Sequence, residues 1–165
     1  MLLDCLATEF GRREDAMPPS DLHAHLGYWL RMVSNAVSHR FARAVEGDGV
    51  TVAEWVVLRL LHDVESLPPS QLAARMGMTK GAITKLADRL VAKNLVSRRP
   101  NLEDRRAHAL LLEPAGRALV PRLAALADAN DAMFFGALAP DERRQLETLL
   151  RKIVAERGLR DTPTD

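Results

Sequence analysis

The sequence has little of several features that would point to particular classes of protein. It has one cysteine, Cys5, which excludes an internal disulfide framework. Aromatic residues make up only 4% of the chain, and the abundance of Leu, Ala and Val favours helices over a β-sandwich or barrel. No run approaches the roughly 20 continuous apolar residues of a membrane-spanning helix. The N-terminus has Asp4 and no basic start, which is untypical of a signal peptide, so we expect a cytoplasmic protein without a membrane partner.

Signatures of catalysis and of metal binding are missing as well. The chain has no glycine-rich phosphate loop, no nucleophile elbow and no paired-carboxylate arrangement, so we predict no enzymatic activity and no cofactor. Five histidines occur, but no Cys/His cluster has the spacing of a zinc site, and His23 and His25 would point to different sides of a helix. We therefore predict no metal site.

What the sequence does contain is an uneven distribution of charge. The whole chain carries a net charge of +1, but residues 70–110 hold nine basic and three acidic residues, a net charge of +6. The rest of the chain is therefore acidic. A basic centre with acidic flanks predicts one face that meets a polyanion such as nucleic acid.

Periodicity and turn signals predict helices on both sides of a short hairpin. A first helix begins at Ser20 or Asp21 and stops at Gly47, and Thr51 with Glu54 forms the capping box of a second, buried helix. Two strands, at residues 95–99 and 107–112, form the hairpin. The other predicted helices are a short one capped by Ser70, one from Thr79 to about Lys93 that ends at a left-handed Asn94, a long one from Pro114 to about Leu138, and a last one from Pro140.

Residues 70–93 have three features that define a helix-turn-helix. Ala73 is small where two helices cross, Gly77 permits the tight turn, and Ile83 seals the pair from the second helix. With Ile83 directed inwards and about 100° per residue, Leu86, Ala87 and Leu90 fall on the inner side. The outward arc carries Gly81, Thr84, Lys85, Asp88 and Arg89. This arc predicts a surface that enters the major groove of DNA, with free N–H groups at the helix start to favour phosphate.

The predicted hairpin adds a basic wing. Arg98 and Arg99 lie in its first strand, and Asp104, Arg105 and Arg106 lie at its tip. Arginine suits insertion into a narrow minor groove, and Asp104 can hold one arginine through a bidentate ion pair. A helix-turn-helix followed by such a hairpin predicts sequence-specific binding of double-stranded DNA.

Asp88 is an acidic residue on this otherwise basic arc. We expect it to neutralise Lys85, and acceptance of a hydrogen bond from a cytosine amino group is the alternative. A winged helix used for protein–protein assembly, without a DNA role, is the alternative to the whole interpretation. The residues that we expect to contact DNA are Ser70, Thr79, Lys80, Gly81, Thr84, Lys85, Arg89, Arg98, Arg99, Asp104, Arg105 and Arg106.

Residues 72–116 resemble the MarR family of bacterial regulators. The resemblance rests on the turn glycine Gly77, on a threonine and a leucine seven residues apart in the recognition helix, on a leucine-valine-x-arginine strand and on an aspartate-x-arginine wing. The flanking helices also fit, so the resemblance covers nearly everything from residue 22 to residue 157. The family often has Gly where Asn94 stands and usually Thr where Glu113 stands, and neither departure touches the predicted DNA surface.

The resemblance implies a mainly α fold, a winged helix-turn-helix with a small β-hairpin wing and a helical dimerisation region built from both chain ends. The chain then divides into a poorly ordered lead-in (1–19), an N-terminal dimerisation helix (20–48), the DNA-binding domain (49–113), C-terminal dimerisation helices (114–158) and a frayed tail (159–165). The resemblance also implies a homodimeric, ligand-responsive repressor that binds a pseudo-palindromic operator. In that family a small aromatic or phenolic effector often causes release of DNA.

Two further sites are predicted outside the motif. The candidate residues of an effector pocket are Tyr28, Trp29, Arg31, His39, Trp55 and Arg59. For any one of them taken alone, we favour simple core and interface packing. Some relatives sense peroxide through a cysteine in the first helix, so a redox-sensing regulator based on Cys5 is an alternative function. We favour a plain unpaired cysteine, because Cys5 lies in the lead-in without the aromatic partners expected around such a thiol.

Overall fold

The computed structural model describes residues 19–100 and 108–159 of the chain. Residues from Ser34 onward form one compact unit, and residues up to Val33 form a second, which is described by itself. The described ranges contain six α-helices and one two-stranded hairpin, which confirms the mainly α fold. The order is α1 (Leu26–Glu46), α2 (Val52–His62), α3 (Pro69–Met76), α4 (Lys80–Ala92), β1 (Val96–Pro100), β2 (His108–Leu112), α5 (Pro114–Phe135) and α6 (Pro140–Arg157). None of the helices in these ranges is long and apolar enough to span a membrane.

The N-terminal helix starts later than predicted. Asp21 accepts a hydrogen bond from the N–H of His23 at 3.2 Å and caps a single 3-10 turn, Leu22–Ala24, instead of the α-helix. His25 is then extended, and α1 begins at Leu26. The predicted start at Ser20 or Asp21 is therefore wrong, because a local side-chain contact closes a separate turn there.

A capping box opens α2, as predicted. Thr51 Oγ1 accepts a hydrogen bond from the N–H of Glu54 at 3.3 Å, and Glu54 Oε2 accepts one from the N–H of Thr51 at 2.8 Å. These reciprocal bonds satisfy two N–H groups that the start of a helix leaves without partners. Val57, Leu58 and Leu61 are buried, so α2 has its apolar side in the core.

The predicted turn between α3 and α4 is confirmed. Gly77 has φ 64°, in the left-handed region, and its N–H donates to the carbonyl of Ala73. Thr79 caps α4, since its Oγ1 accepts a hydrogen bond from the N–H of Ala82 at 3.2 Å. At the other end of α4, Asn94 has φ 55° and takes the left-handed conformation predicted for it.

The start of α3 differs from the prediction that Ser70 caps it. Pro68 occupies the cap position and Pro69 the first helical position, so Ser70 lies inside the first turn. Proline is well suited to that first position, because its φ is already helical and its missing N–H would have had no helical partner. Ser70 keeps an exposed side chain.

The hairpin is anchored to the segment that precedes α3. β1 and β2 are antiparallel, with Val96 opposite Leu112 and Pro100 opposite His108. β1 begins one residue later than predicted, and the predicted start of the second strand, at position 107, lies outside the described residues. Leu67 donates a hydrogen bond to the carbonyl of Leu110 at 3.0 Å, and its carbonyl accepts one from the N–H of Leu110 at 2.9 Å. The sequence analysis did not predict this pairing.

The core holds α4 along one side. Ile83, Leu86, Ala87 and Leu90 are buried, as their spacing along the helix predicted. Burial of a leucine or isoleucine side chain stabilises the fold by about 1.5–3 kcal/mol. The predicted outward arc of α4 (Gly81, Thr84, Lys85, Asp88 and Arg89) is exposed. The fully buried side chains that complete the core include Leu58, Leu61, Leu72, Met76, Leu110 and Leu123.

The first turn of α5 packs closely on the base of the hairpin. A Cβ atom on Gly116 would lie 2.1 Å from the carbonyl oxygen of Leu95. That carbonyl is held in place, because it accepts a hydrogen bond from the N–H of Glu113 at 3.0 Å. α5 ends at Phe135 instead of Leu138, and Gly136, a poor helix former, takes its C-cap position.

We expect Gly116→Ala to destabilise the protein by about 2 kcal/mol or more, because the new methyl group meets backbone that cannot move away cheaply. Urea unfolding monitored by circular dichroism measures the change. Gly27→Ala is the matched control, since a Cβ on Gly27 meets nothing within 4 Å. Equal stability of the two variants would contradict the close approach of α5 to the hairpin.

Candidate nucleic-acid interface

The predicted contact residues in the described part of the chain are all exposed. Two of their hydroxyl groups already have structural partners, since Thr79 caps α4 and Thr84 donates to the carbonyl of Lys80 at 3.0 Å. The residues are Ser70, Thr79, Lys80, Gly81, Thr84, Lys85, Arg89, Arg98 and Arg99. Asp104, Arg105 and Arg106 were also predicted to contact DNA, but they lie outside the described residues, as does Cys5.

A groove of about 590 Å³ separates α4 from the hairpin. It brings together four predicted contact residues from three elements: Ser70 on α3, Lys80 and Thr84 on α4, and Arg98 on β1. A hydroxyl, an ammonium and a guanidinium group are the donors that proteins commonly turn toward phosphate oxygens. The remaining lining residues are Pro68, Pro69, Ala87 and His108.

An ion pair joins α4 to the hairpin. Arg98 Nη2 lies 2.6 Å from Asp88 Oδ1, and the two side chains are 36% and 57% exposed. The predicted neutralisation of Lys85 by Asp88 is therefore wrong, because a cation from a different element reaches the carboxylate instead. An exposed pair of this kind contributes about 1 kcal/mol or less to stability. Its main effect is to orient Arg98 toward α4 along the wall of the groove.

The C-terminal half of α4 is attached to α2 through the buried carboxylate of Glu54. Glu54 has no exposed surface. Its Oε2 accepts hydrogen bonds from the N–H of Thr51 and from Lys93 Nζ, each at 2.8 Å. Its Oε1 lies 3.1 Å from Arg89 Nε. Lys93 Nζ also donates to the carbonyl of Gly49 at 2.8 Å, so the turn before α2 joins the same cluster.

The surroundings of Glu54 keep it ionised. Burial raises the pKa of this carboxyl, but the hydrogen bonds from Lys93 and Thr51, together with the charges of Lys93 and Arg89, outweigh that effect. The pKa of Glu54 is therefore lower than its ordinary value. Oε1 lacks a hydrogen bond of good geometry, so its contact with Arg89 is best described as an ion pair.

A second cavity, of about 270 Å³, lies between α1, α2 and α5. Phe41 and Trp55 contribute aromatic walls, and Asn130 contributes a buried amide. Asn130 Nδ2 donates to the carbonyl of Val37 at 3.3 Å, whereas its Oδ1 has no hydrogen-bond partner among the described residues. The other lining residues are Val37, Ser38, Val52, Val56, Ala127 and Asp131.

Of the predicted effector residues, Trp55 lines this cavity, whereas His39 and Arg59 do not. Arg59 forms an ion pair with Asp63 one turn further along α2, and His39 is exposed. Among residues 19–33, Tyr28 and Trp29 pack edge-to-face on each other, with ring centroids 5.3 Å apart. In that unit both rings also contact His23, and Arg31 is exposed.

Three features of the site were missed from the sequence. The ion-pair partners of Glu54 and Asp88 lie on other elements, and no local sequence pattern predicts such contacts. Asn130 left a weak signal, because it is a lone buried polar residue on a helix whose other buried residues are Gly116, Val120 and Leu123. In residues 19–100 and 108–159, no group of three or more His, Cys, Asp or Glu side chains could hold a metal ion.

Known proteins are similar to this chain in both sequence and fold. The family model described as "MarR family" matches residues 50–108. The HTH-type transcriptional repressor MdtR of Bacillus subtilis (strain 168) is 32% identical over 124 residues, which cover 75% of this chain and 80% of MdtR.

Two solved structures are similar over most of their length. A cysteine-to-serine mutant of MarR from E. coli, complexed with operator DNA, is 28% identical with a TM-score of 0.72, covering 82% of this chain and 99% of that one. BpsR of Bordetella bronchiseptica, whose structure concerns the regulation of DNA binding by 6-hydroxynicotinic acid, is 27% identical. Its TM-score is 0.73, with 82% of this chain and 97% of BpsR covered.

The charge of Glu54 makes stability depend on pH. Because its pKa is lower in the folded chain than in the unfolded chain, the charge stabilises the fold above the unfolded value of about 4.5. That stabilisation is lost as the pH falls through the folded pKa. We expect Glu54→Gln to cost about 1–3 kcal/mol at neutral pH and progressively less in acid.

Urea unfolding over a series of pH values measures this difference. Glu46→Gln is the matched control, because Glu46 is exposed and the chemical change is the same. A cost of Glu54→Gln that stays constant into acid would contradict the charge as its cause.

Proposed function

Because the chain belongs to the MarR family of transcriptional regulators, we propose that it binds double-stranded operator DNA as a homodimer and represses transcription. The observation that supports this most directly is the groove between α4 and the hairpin. It joins Ser70, Lys80, Thr84 and Arg98 beside a recognition helix, α4, whose outward residues are exposed.

In this proposal α4 lies in the major groove, whose width of about 12 Å admits a helix. Lys85, Arg89 and the edge from Thr79 to Thr84, which includes Lys80, reach toward base edges and phosphates. Gly81 allows the backbone to approach closely. Ser70 and Arg98 contact phosphates beside the groove. Arg99, Asp104, Arg105 and Arg106 extend the surface toward the adjacent minor groove.

We propose that both chain ends form the dimer interface. Four apolar residues of α6, Leu149, Leu150, Ile153 and Val154, are 38–52% exposed. In the unit of residues 19–33, Leu26 and Leu30 are also exposed. Apolar stripes of this size on isolated helices mark interfaces. A two-fold dimer would place its recognition helices on half-sites about one helical turn, roughly 10 bp, apart.

The cavity between α1, α2 and α5 is the proposed effector site. Its volume of about 270 Å³ suits a molecule with one aromatic ring. Phe41 and Trp55 can pack on the ring, and the free Oδ1 of Asn130 can accept a hydrogen bond from a hydroxyl group. A small aromatic or phenolic effector fits these walls. Its binding would shift the dimer toward a state in which the two recognition helices no longer match their half-sites.

A regulator of this kind has no catalytic step, so we propose no enzymatic activity and no cofactor besides the effector. The protein would work in the cytoplasm, where bacterial operator DNA is located. Protein–protein assembly without a DNA role and redox sensing through Cys5 are not favoured, because the relatives that match most of the chain are named as transcriptional repressors.

A salt titration tests the proposed function. Affinity for a fluorescein-labelled duplex from the gene's own promoter region is measured by anisotropy between 50 and 200 mM KCl. We expect a loss of about a hundredfold or more, because several counterions return to the phosphates as the protein leaves. The control is a duplex of equal length and unrelated sequence, which should bind more weakly throughout. Absence of salt-sensitive binding to the promoter duplex would refute the DNA-binding proposal.

Gly81→Ala tests the approach of α4 to DNA. A Cβ on Gly81 meets nothing within 4 Å in the protein, so the fold itself does not require glycine here. We expect the variant to be as stable as wild type or more stable by about 0.4–1 kcal/mol, yet to bind the promoter duplex about tenfold more weakly because the methyl group meets the DNA. Gly27→Ala, another helical glycine with open space around it, should show the same gain in stability and an unchanged affinity. Unchanged affinity of Gly81→Ala would show that the start of α4 does not approach the bases.

A further inference from the structure

We infer that Glu54 is a positioning residue for DNA binding and that it acts through Arg89. This inference rests on the proposed function, because Arg89 is one of the proposed DNA contacts. Glu54 cannot touch DNA itself, since it has no exposed surface. Within the described residues its carboxylate meets α4 through the side chains of Arg89 and Lys93.

The capping box does not explain why a charged residue stands at position 54. The box needs one side-chain oxygen to accept a hydrogen bond from the N–H of Thr51, and glutamine supplies that oxygen as well as glutamate does. Stability does not explain the charge well either, because a buried ion pair often stabilises a protein no more than apolar side chains of the same size. The feature that requires a carboxylate is the pair of cations, Arg89 and Lys93, that α4 turns toward it.

The contact orients the guanidinium group of Arg89. Glu54 is paired with Nε, the nitrogen nearest the helix, at 3.1 Å. Four further N–H groups sit on the two terminal nitrogens of an arginine, and within the described part of the chain these have no partner. The Arg89 side chain remains 55% exposed. One edge of the planar group is therefore held by the protein, and the other edge remains available for a phosphate.

Lys93 fixes the position of the carboxylate that holds Arg89. Its ammonium group binds Glu54 Oε2 and the carbonyl of Gly49, both at 2.8 Å. Arg89 and Lys93 are four residues apart in the chain, so they project from the same side of α4. With Lys93 and the N–H of Thr51 on one oxygen, the other oxygen is left directed at Arg89. The geometry points to a clamp in which α2 sets the rotamer of a DNA-contacting arginine.

The sign of the effect of Glu54→Gln separates this clamp from simple electrostatics. The substitution removes a negative charge and makes the protein more cationic, which by itself would tighten binding to DNA. If Glu54 positions Arg89, binding to the promoter duplex instead becomes about tenfold weaker. The salt dependence also becomes less steep, because one phosphate contact is impaired. Glu46→Gln, with the same charge change at an exposed site, should bind as tightly as wild type or slightly more tightly.

A double-mutant cycle tests whether Glu54 acts through Arg89. We expect Arg89→Gln to weaken binding about tenfold and to reduce the salt slope by about one. The double variant Glu54→Gln/Arg89→Gln should bind no more weakly than Arg89→Gln alone, because the clamp has nothing left to hold. Additive losses, or binding by Glu54→Gln that equals or exceeds that of wild type, would overturn the inference.

Arg89→Lys keeps the inference testable if Glu54→Gln does not fold. This exposed substitution retains the charge, but lysine lacks the planar guanidinium group, so a side chain paired with Glu54 no longer offers two parallel N–H groups to a phosphate. We expect it to bind several-fold more weakly than wild type, and binding equal to wild type would refute the clamp. Thermal unfolding of each variant verifies that it is folded at the assay temperature. Failure of the wild-type protein to bind the duplex would overturn the proposed function and the clamp together. Variants that bind as tightly as a wild-type protein that does bind would overturn only the clamp.

Discussion

The buried charge of Glu54 constrains the arrangement of the helices around it. An ionised carboxylate loses several kcal/mol of solvation when it leaves water, so its oxygens need donors from the protein. Here the donors come from the start of α2 and the end of α4. Displacing α4 along or away from α2 would therefore leave the buried carboxylate without some of its donors. The core holds α4 by apolar packing, which is weakly directional, and the carboxylate adds the directional restraint.

Most of the outer side of α4 is available for recognition, because the cap, the buried stripe and the last turn of the helix make most of its contacts with the rest of the protein. Thr79 caps its start, the buried stripe packs on the core, and Arg89 and Lys93 hold its end. Two residues of the outward arc pair with other elements in the described structure: Arg89 with Glu54 of α2, and Asp88 with Arg98 of the hairpin. The hairpin and the recognition helix are thereby oriented relative to each other by a contact that contributes little to stability.

Sequence patterns predicted the features that depend on neighbouring residues. The capping box of Thr51 and Glu54, the left-handed turns at Gly77 and Asn94 and the buried side of α4 are set within a few positions of the chain, so their spacing is sufficient. The cap of α3 was misassigned to Ser70 because serine is usually the better cap. Pro68 takes the cap position instead, and Pro69 takes the first helical position. Helical periodicity also showed that Asp88 faces outward. It could not show that a side chain ten residues later, on a strand, would reach it.

The pairing of Leu67 with Leu110 affects how the groove responds to movement. Both residues are buried, and two hydrogen bonds join the segment before α3 to β2. Ser70 follows that segment closely in the chain, whereas Arg98 and His108 belong to the hairpin, so backbone hydrogen bonds link the α3 end of the groove to its hairpin wall. Bending the hairpin therefore carries the start of α3 with it, and the exposed Arg98–Asp88 ion pair adds a weaker link to α4. In a dimer, a signal that releases DNA would then have to alter the separation of two rigid reading surfaces, because neither surface deforms easily by itself.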